Sequence, residues 1–422
     1  MILSSTLVAG ITLATAASAV PVSDRRTISF GPWKFESGAA SSPTSFGTCT
    51  QSRVPVTVNV ATTDIRQSKP ATQGALTGFM ANYWATGSTV SQQAIPPNPD
   101  GSLPRKPSQA TYNIFTQLCL PKDWKDGGVV HIGTHGINFD HSYWEFGYSK
   151  EYNYIEAATK AGYAVFTHDR LGVGQSDKPD GRDEVQAATE VEILHQLVQY
   201  LRQSKKFSKV VGIGHSFGSI QLTGIANKYP DDLEAVILTG YTPSMVSVPL
   251  SFTGWAITLA KEQSDANIRS RWMSLPNGAN KYTTDLAYWG TGSPSADRFA
   301  FFAEGNYDEG AFTQAYNTKQ TFTMGEFMTI AEPVSQPAPN YKGDVFVVTG
   351  EKDLIFCGGN CNQKPTTTTG NSLLDDTKTL YPNAKSFMTY VPPGAGHALF
   401  THHGTDNMIS TILGWSKQVT GM

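Results

Sequence analysis

Residues 128–240 alternate short, almost continuous apolar runs with segments of helical periodicity. In residues 183–204, for example, apolar side chains recur at spacings of three and four. Strands without polar alternation are buried on both faces, as in parallel sheets that helices cover on both sides. The sequence therefore predicts an α/β fold with a mostly parallel, doubly wound sheet and helices on both faces. The predicted elements of this stretch are the strands Gly128–Gly133, Gly162–Thr167, Lys209–Gly214 and Ala235–Gly240 and the helices Tyr152–Ala161, Asp183–Ser204 and Phe217–Lys228.

The alternation stops after Tyr241 and resumes at a strand, Asp344–Gly350. The residues between are helix-like and rich in aromatic side chains, and structureless loops of such length are uncommon in compact domains. We therefore predict a helical cap, residues 241–343, inserted into a core made of residues 20–240 and 344–422. The remaining predicted core elements are the strands Arg53–Ala61 and Tyr112–Leu120 of an N-terminal extension, a helix near Leu373–Tyr381, the strand Ser386–Val391 and the closing helix Asp406–Val419.

The first residues have the composition of a signal peptide. Residues 2–17 are apolar or small and lead into Ala17-Ser18-Ala19, a cleavage signal, so residues 1–19 are predicted to be removed and the protein secreted. The alternative is a membrane anchor, but serine and threonine residues dilute the apolar run, and a span needs about 20 apolar residues. A net charge of −3 without a basic run argues against nucleic acid or an anionic membrane surface as a partner.

The four cysteines are Cys49, Cys119, Cys357 and Cys361. A small, even number in a secreted chain indicates two disulfide bonds, for which three pairings are possible. The pairing Cys357–Cys361 with Cys49–Cys119 is favoured, because the first two are close neighbours in sequence. A metal site is the alternative, but the chain has no C-x-x-C pair and no histidine near either pair.

A G-x-S-x-G pentapeptide, residues 214–218, lies where a predicted strand meets a predicted helix. In such a turn the serine, here Ser216, is exposed at the carboxyl end of its strand, and the amide of the next residue, Phe217, points towards a developing oxyanion. A serine hydroxyl is a poor nucleophile unless a base removes its proton. The match therefore predicts a histidine and an acid further along the chain.

The predicted base is His397, which follows the last predicted strand on a glycine-rich loop; the alternatives are His402 and His403. The predicted acid is Asp353, just past the strand that ends at Gly350, where it would orient the imidazole. Glu351 is the alternative acid.

A second oxyanion donor is expected in the loop after the strand Gly128–Gly133. His135-Gly136-Ile137 follows that strand directly, so the amide of Ile137 is predicted to pair with that of Phe217.

Four motifs in order, "THGINF", "HDRLGVGQSD", "GHSFG" and the pair "GEKD"/"GAGH", make the sequence resemble the α/β-hydrolase superfamily over residues 128–417. The resemblance implies structural roles for Asp169 and Arg170. It also implies an activity among esterases, lipases, thioesterases, lactonases and acyltransferases. Epoxide hydrolases and haloalkane dehalogenases usually carry aspartate where this chain has Ser216.

The sequence as a whole thus predicts a secreted serine hydrolase that cleaves carboxylic esters of fairly large apolar substrates, with a small-molecule substrate and no metal or organic cofactor. The alternatives are a lactonase, an acyltransferase or a lyase that uses the same three residues, and an inactive binding protein with this fold.

Overall fold

The computed structural model describes residues 40–204, 206–273 and 284–422. The predicted signal peptide, residues 1–19, lies outside these ranges. Within them, every helix is either too short or too polar to cross a bilayer.

Strands and helices alternate along most of the described chain. The strands are β1 (Ala40–Pro43), β2 (Gly47–Thr63), β3 (Arg105–Pro121), β4 (Gly128–Thr134), β5 (Ala164–His168), β6 (Phe207–His215), β7 (Ala235–Thr239), β8 (Thr258–Leu259), β9 (Tyr288–Gly290), β10 (Phe322–Thr323), β11 (Asp344–Val348) and β12 (Ser386–Tyr390). The α-helices are α1 (Gln73–Tyr83), α2 (Val90–Ala94), α3 (Tyr154–Lys160), α4 (Ala187–Gln203), α5 (Phe217–Lys228), α6 (Val248–Gly254), α7 (Ala266–Met273), α8 (Pro294–Phe301), α9 (Glu309–Thr318), α10 (Met324–Thr329), α11 (Leu354–Cys357) and α12 (Thr405–Thr420).

Nine of the strands form one sheet in the order β1-β2-β3-β5-β4-β6-β7-β11-β12. The six strands from β5 to β12 pair in parallel. The strands β1, β2 and β3 are joined to one another and to β5 by antiparallel pairing. This topology confirms the predicted, mostly parallel sheet.

Helices cover both faces of the sheet. On one face, the imidazole of His131 in β4 makes hydrogen bonds with Tyr154 of α3, at 2.7 Å, and with Ser416 of α12, at 2.9 Å. Gly212 lies one residue beyond the partner of His131 in β6, so its α-carbon faces the other way. A β-carbon at Gly212 would lie 2.7 Å from the side chain of Leu222 in α5. Thus α3 and α12 cover one face, and α5 covers the other.

The antiparallel pair β2–β3 is longer than the sequence predicts. Its register runs from Gly47 opposite Pro121 to Thr63 opposite Arg105, well beyond the predicted strands 53–61 and 112–120. The disulfide bond Cys49–Cys119 joins two directly opposed residues of this pair. The favoured pairing is therefore the one that the structure contains.

The chain between β7 and β11 leaves the large sheet. It contains five α-helices, α6 to α10, and also a three-stranded antiparallel sheet in the order β10-β9-β8 among its described residues. The sequence predicts a helical cap here and does not indicate these strands. The difference arises because each of these strands is only two or three residues long, too short to show the alternation of a strand.

Candidate active site

Ser216 occupies a strained turn between β6 and α5. Its backbone has φ 53° and ψ −116°, a region that a residue other than glycine adopts only where its surroundings hold it there. The two flanking glycines make the turn possible. A β-carbon at Gly214 would lie 2.6 Å from the Gly218 backbone, and one at Gly218 would lie 2.0 Å from the carbonyl oxygen of Thr134. The Ser216 amide donates to the carbonyl oxygen of Thr239 in β7, at 2.8 Å, which ties the turn to the sheet.

Asp353 and His397 are in direct contact, deep in the protein. The Nδ1–H of His397 donates to Asp353 Oδ2 at 2.7 Å, and the Phe356 amide donates to Asp353 Oδ1 at 2.9 Å. The exposed fraction is 0% for Asp353 and 1% for His397. Because the carboxylate fixes the proton on Nδ1, the lone pair of a neutral imidazole lies on Nε2. That Nε2 is buried and has no hydrogen-bond partner in the described part of the chain.

The loops that carry the acid and the base are bonded to each other. The Lys352 amide donates to Ala395 O at 2.8 Å, and the Glu351 amide donates to Pro392 O at 3.0 Å. The disulfide bond Cys357–Cys361 closes the same turn. Inside it the Gly359 amide donates to the carbonyl oxygen of Asp353 at 2.8 Å. The position of Asp353 is therefore held from both sides.

The alternative acid and bases have other partners. Glu351 accepts a hydrogen bond from the Gly394 amide at 2.9 Å, and its pKa is lowered by that bond and by Lys352 Nζ at 3.0 Å. His402 accepts from the Ala303 amide through Nε2, and burial lowers its pKa to about 4. His403 is exposed and contacts Asp308. The structure thus brings Asp353, and not Glu351, to His397.

The imidazole of His397 lies beside the Ser216 turn. Its ring centroid is 5.0 Å from that of His215, the residue that precedes Ser216. In this conformation, no hydrogen bond joins Ser216 Oγ to His397 Nε2, two atoms of the described part of the chain. Catalytic hydrogen bonds are often long without substrate and tighten only when it binds.

The two predicted oxyanion donors flank Ser216. Phe217 is the first residue of α5, where amides have no partner inside the helix. The loop after β4 lies against the serine, because a β-carbon at Gly136 would be 2.9 Å from Ser216 Cβ. Among the described residues, the amides of Ile137 and Phe217 have no acceptor. Neither amide is therefore committed to another acceptor among those residues.

His135 holds the loop of Ile137, a function that the sequence analysis did not assign to it. Its Nδ1–H donates to Gly136 O at 2.9 Å, and its Nε2 accepts from the Arg170 amide at 3.0 Å. Burial lowers its pKa well below the usual value, so the ring is neutral and can accept at Nε2. The dipeptide His135-Gly136 after a strand indicates the oxyanion loop, but the sequence does not indicate which hydrogen bonds the histidine makes.

Arg170 and Asp169 anchor the loops behind the site. The buried Arg170 guanidinium pairs with Glu190 at 3.1 Å and Glu326 at 2.5 Å, and it lies 4.8 Å from the centroid of the Phe217 ring. Asp169 accepts hydrogen bonds from the amide and Nδ1 of His141, at 2.9 and 2.6 Å. These contacts agree with the structural role that the resemblance implies for the two residues.

Asp140, His141 and Asp169 place three potential metal-ligand atoms together. Burial lowers the pKa of His141, but the carboxylates of Asp169, Asp140 and Glu145 together raise it, to about 9. The raised pKa favours the protonated imidazole, so the contact of His141 with Asp169 has the character of an ion pair.

Aromatic side chains cover the imidazole of His397. Phe301 of α8 and Phe356 of α11 have ring centroids 5.9 and 5.8 Å from it. Phe139 and Trp255 extend this apolar surface, at 5.8 and 5.5 Å from the Phe301 ring. A separate cluster away from the site contains other aromatic residues of the segment between β7 and β11, namely Trp272, Tyr288, Phe312 and Tyr316.

Comparison with known proteins places the chain in a family. No curated protein matches the sequence. Solved structures that resemble this one include an alpha/beta hydrolase fold protein from Chitinophaga pinensis, with 15% identity, a TM-score of 0.46 and coverage of 72% of this chain and 93% of that chain. A thermophilic esterase from Thermogutta terrifontis has 16% identity, a TM-score of 0.44 and coverage of 73% and 94%. A bromoperoxidase from Bacillus anthracis has 16% identity, a TM-score of 0.45 and coverage of 73% and 96%. A family model with the description "Alpha/beta hydrolase family" matches residues 129–407, which make up more than half of the chain. The chain therefore belongs to the α/β-hydrolase family.

Proposed function

We propose that this protein is a secreted serine hydrolase that cleaves carboxylic esters of fairly large apolar substrates, with Ser216 as nucleophile, His397 as base and Asp353 as its orienting acid. The observation that carries the proposal is the buried His397–Asp353 pair, whose unpartnered Nε2 lies beside a serine in a strained strand-to-helix turn. A base that takes its proton only when the substrate is bound would have such an unpartnered nitrogen in the free protein.

In the proposed reaction, His397 Nε2 takes the proton of the Ser216 hydroxyl as Oγ attacks the ester carbonyl carbon. The carbonyl oxygen becomes an oxyanion and accepts hydrogen bonds from the amides of Ile137 and Phe217. Loss of one such donor costs roughly 3–4 kcal/mol of transition-state stabilisation. The imidazolium then gives its proton to the departing alcohol, which leaves an acyl group on Ser216. Water, deprotonated by His397, releases the acid and restores the serine.

The preference for an apolar substrate rests on the walls of the site. Phe301 and Phe356 lie against the imidazole, and Trp255 continues the apolar surface on the Phe301 ring. Two of these rings belong to residues 241–343, which we propose to act as the cap that encloses the acyl or alcohol group. Secretion is proposed from the apolar run that ends at Ala19 and from the two disulfide bonds, which persist in oxidising compartments.

A series of p-nitrophenyl esters from acetate to palmitate tests the proposal. Each methylene that enters an apolar pocket contributes about 0.8 kcal/mol, so kcat/KM is expected to rise about three- to fourfold per methylene until the pocket is full. The Ser216→Ala variant serves as the blank. If no ester in the series is turned over faster than by this blank, the protein is not an esterase of this class.

Acyl transfer is distinguished from hydrolysis in the same assay. Added alcohols would compete with water for the acyl-enzyme and yield new esters, which chromatography detects. A dominant transfer product at low alcohol concentration would reassign the enzyme as an acyltransferase with the same three residues.

A further inference from the structure

The loop of Ile137 is bonded to the segment between β7 and β11 as well as to the core. Asn138, the next residue, has φ 76° and is 3% exposed. Its carbonyl oxygen accepts from the Gln320 amide at 2.9 Å, and its Oδ1 accepts from Thr291 Oγ1 at 3.3 Å. Asparagine tolerates a positive φ better than most residues, and the hydrogen bonds to its carbonyl oxygen and side chain hold it in this conformation. Both of these hydrogen bonds are donated by residues of the segment between β7 and β11.

The side chain of Gln320 connects two core loops. Its Nε2 donates to Asp140 Oδ2 at 2.6 Å, in the loop that also carries Ile137, and its Oε1 accepts from the Gly174 amide at 3.4 Å. Gln320 is only 4% exposed. Side-chain and backbone contacts of this single residue therefore hold both ends of the stretch from residue 138 to residue 140.

Thr291 is oriented by a buried lysine. Lys319 Nζ donates to the carbonyl oxygen and to Oγ1 of Thr291, both at 2.9 Å, and lies 3.4 Å from the carboxylate of Asp297. The lysine thus fixes the position of Thr291, whose Oγ1 donates to Asn138 Oδ1 at 3.3 Å.

We propose that Gln320 and Thr291 are positioning residues for the oxyanion site: through Asn138 and Asp140 they hold the loop that presents the Ile137 amide to the substrate oxygen. This inference rests on the proposed function. Residues 241–343 would then help to position an oxyanion donor, in addition to covering the active site. A movement that separated Gln320 from Asn138 would loosen an oxyanion donor.

The test uses two substitutions that keep side-chain size, Gln320→Met and Thr291→Val. Their matched controls are Gln314→Met and Thr313→Val on α9, whose side chains are half-buried and exposed. Each variant is assayed with a carboxylic ester and with the corresponding thionoester, in which sulfur replaces the carbonyl oxygen. An oxyanion site fitted to oxygen disfavours the larger sulfur, which is a weaker hydrogen-bond acceptor. The ratio of the two kcat/KM values therefore reports on the oxyanion site. It does not depend on how much of the sample is folded.

For Gln320→Met and Thr291→Val we expect kcat on the ester to fall about 10- to 100-fold, as for misplacement of a reacting group by about 1 Å. KM should change less than about threefold, because the contact is made mainly in the transition state. The preference for the ester over the thionoester should shrink by about the same factor as kcat. Both controls should keep the wild-type ratio.

Two results separate this inference from the proposed function. If the wild-type protein hydrolyses no ester, the proposed function fails. If the wild-type protein is active but both variants keep its preference for oxygen over sulfur, Gln320 and Thr291 have only a structural role and the inference is wrong, whatever their stability. Should one variant fail to fold, the other decides the question.

Discussion

Replacement of Ser216 by alanine is expected to lower kcat for ester hydrolysis by a factor of about 10⁴–10⁶, the loss found when a serine hydrolase is deprived of its nucleophile. The fold should persist, because the hydrogen bond that ties residue 216 to the sheet is donated by its backbone amide, which alanine retains. The free energy of unfolding should change by less than about 1 kcal/mol. Initial rates with p-nitrophenyl esters and thermal unfolding of the same sample measure the two effects.

Ser219→Ala is the matched control for that experiment. Ser219 is buried one turn further along α5 and donates through Oγ to Thr239 O at 2.9 Å. Its loss should lower stability by about 1 kcal/mol while turnover persists. Ser216→Ala should therefore lose turnover and keep its stability, whereas Ser219→Ala should lose stability and keep its turnover. If Ser216→Ala kept more than about a thousandth of the wild-type rate, Ser216 would not be the nucleophile.

Asp353→Asn is expected to be severely impaired, by a factor of about 10⁴ in kcat. An asparagine amide nitrogen at the position of Oδ2 cannot accept the Nδ1 proton of His397, which Asp353 now holds at 2.7 Å. The imidazole would turn or change tautomer, and Nε2 would no longer be free to act as base. Steady-state kinetics at several pH values would show the loss across the whole range.

Glu351→Gln is the comparison for Asp353→Asn. The Glu351 carboxylate is a quarter exposed and accepts from the Gly394 amide, a bond that the glutamine carbonyl oxygen can also accept. We expect kcat to fall by less than about tenfold, since misplacement of the His397 loop would be partial. A severe loss in Glu351→Gln together with a mild one in Asp353→Asn would exchange the roles of the two residues.

The strands of the parallel sheet could be predicted closely because burial on both faces leaves a local pattern. The strand predicted at Gly128–Gly133 is observed at Gly128–Thr134, and the one predicted at Ala235–Gly240 ends one residue earlier. The pair β2–β3 was underestimated because only one of its faces is buried. Pro107 and Gln109, for example, are exposed and resemble loop residues, although both lie within β3.

The candidate triad could also be predicted, since each member lies on a short motif next to a strand end. The contacts around the oxyanion loop could not. Gln320 and Asn138 are far apart in sequence, and nothing in the local pattern of either residue indicates the other. Likewise, the sequence shows only that residues 241–343 are rich in aromatic side chains, whereas packing shows that Phe301 lies near His397 and that Trp272 belongs to another cluster.

The most direct test of the central claim is covalent labelling of the native protein with a fluorophosphonate, followed by peptide mass spectrometry. The reagent forms an ester only with a serine whose hydroxyl is activated by a neighbouring base. We expect a single adduct on Ser216, loss of ester hydrolysis in proportion to labelling, and no adduct after denaturation. An active, folded protein that carries no adduct on Ser216, or loses its activity through an adduct elsewhere, would contradict the account.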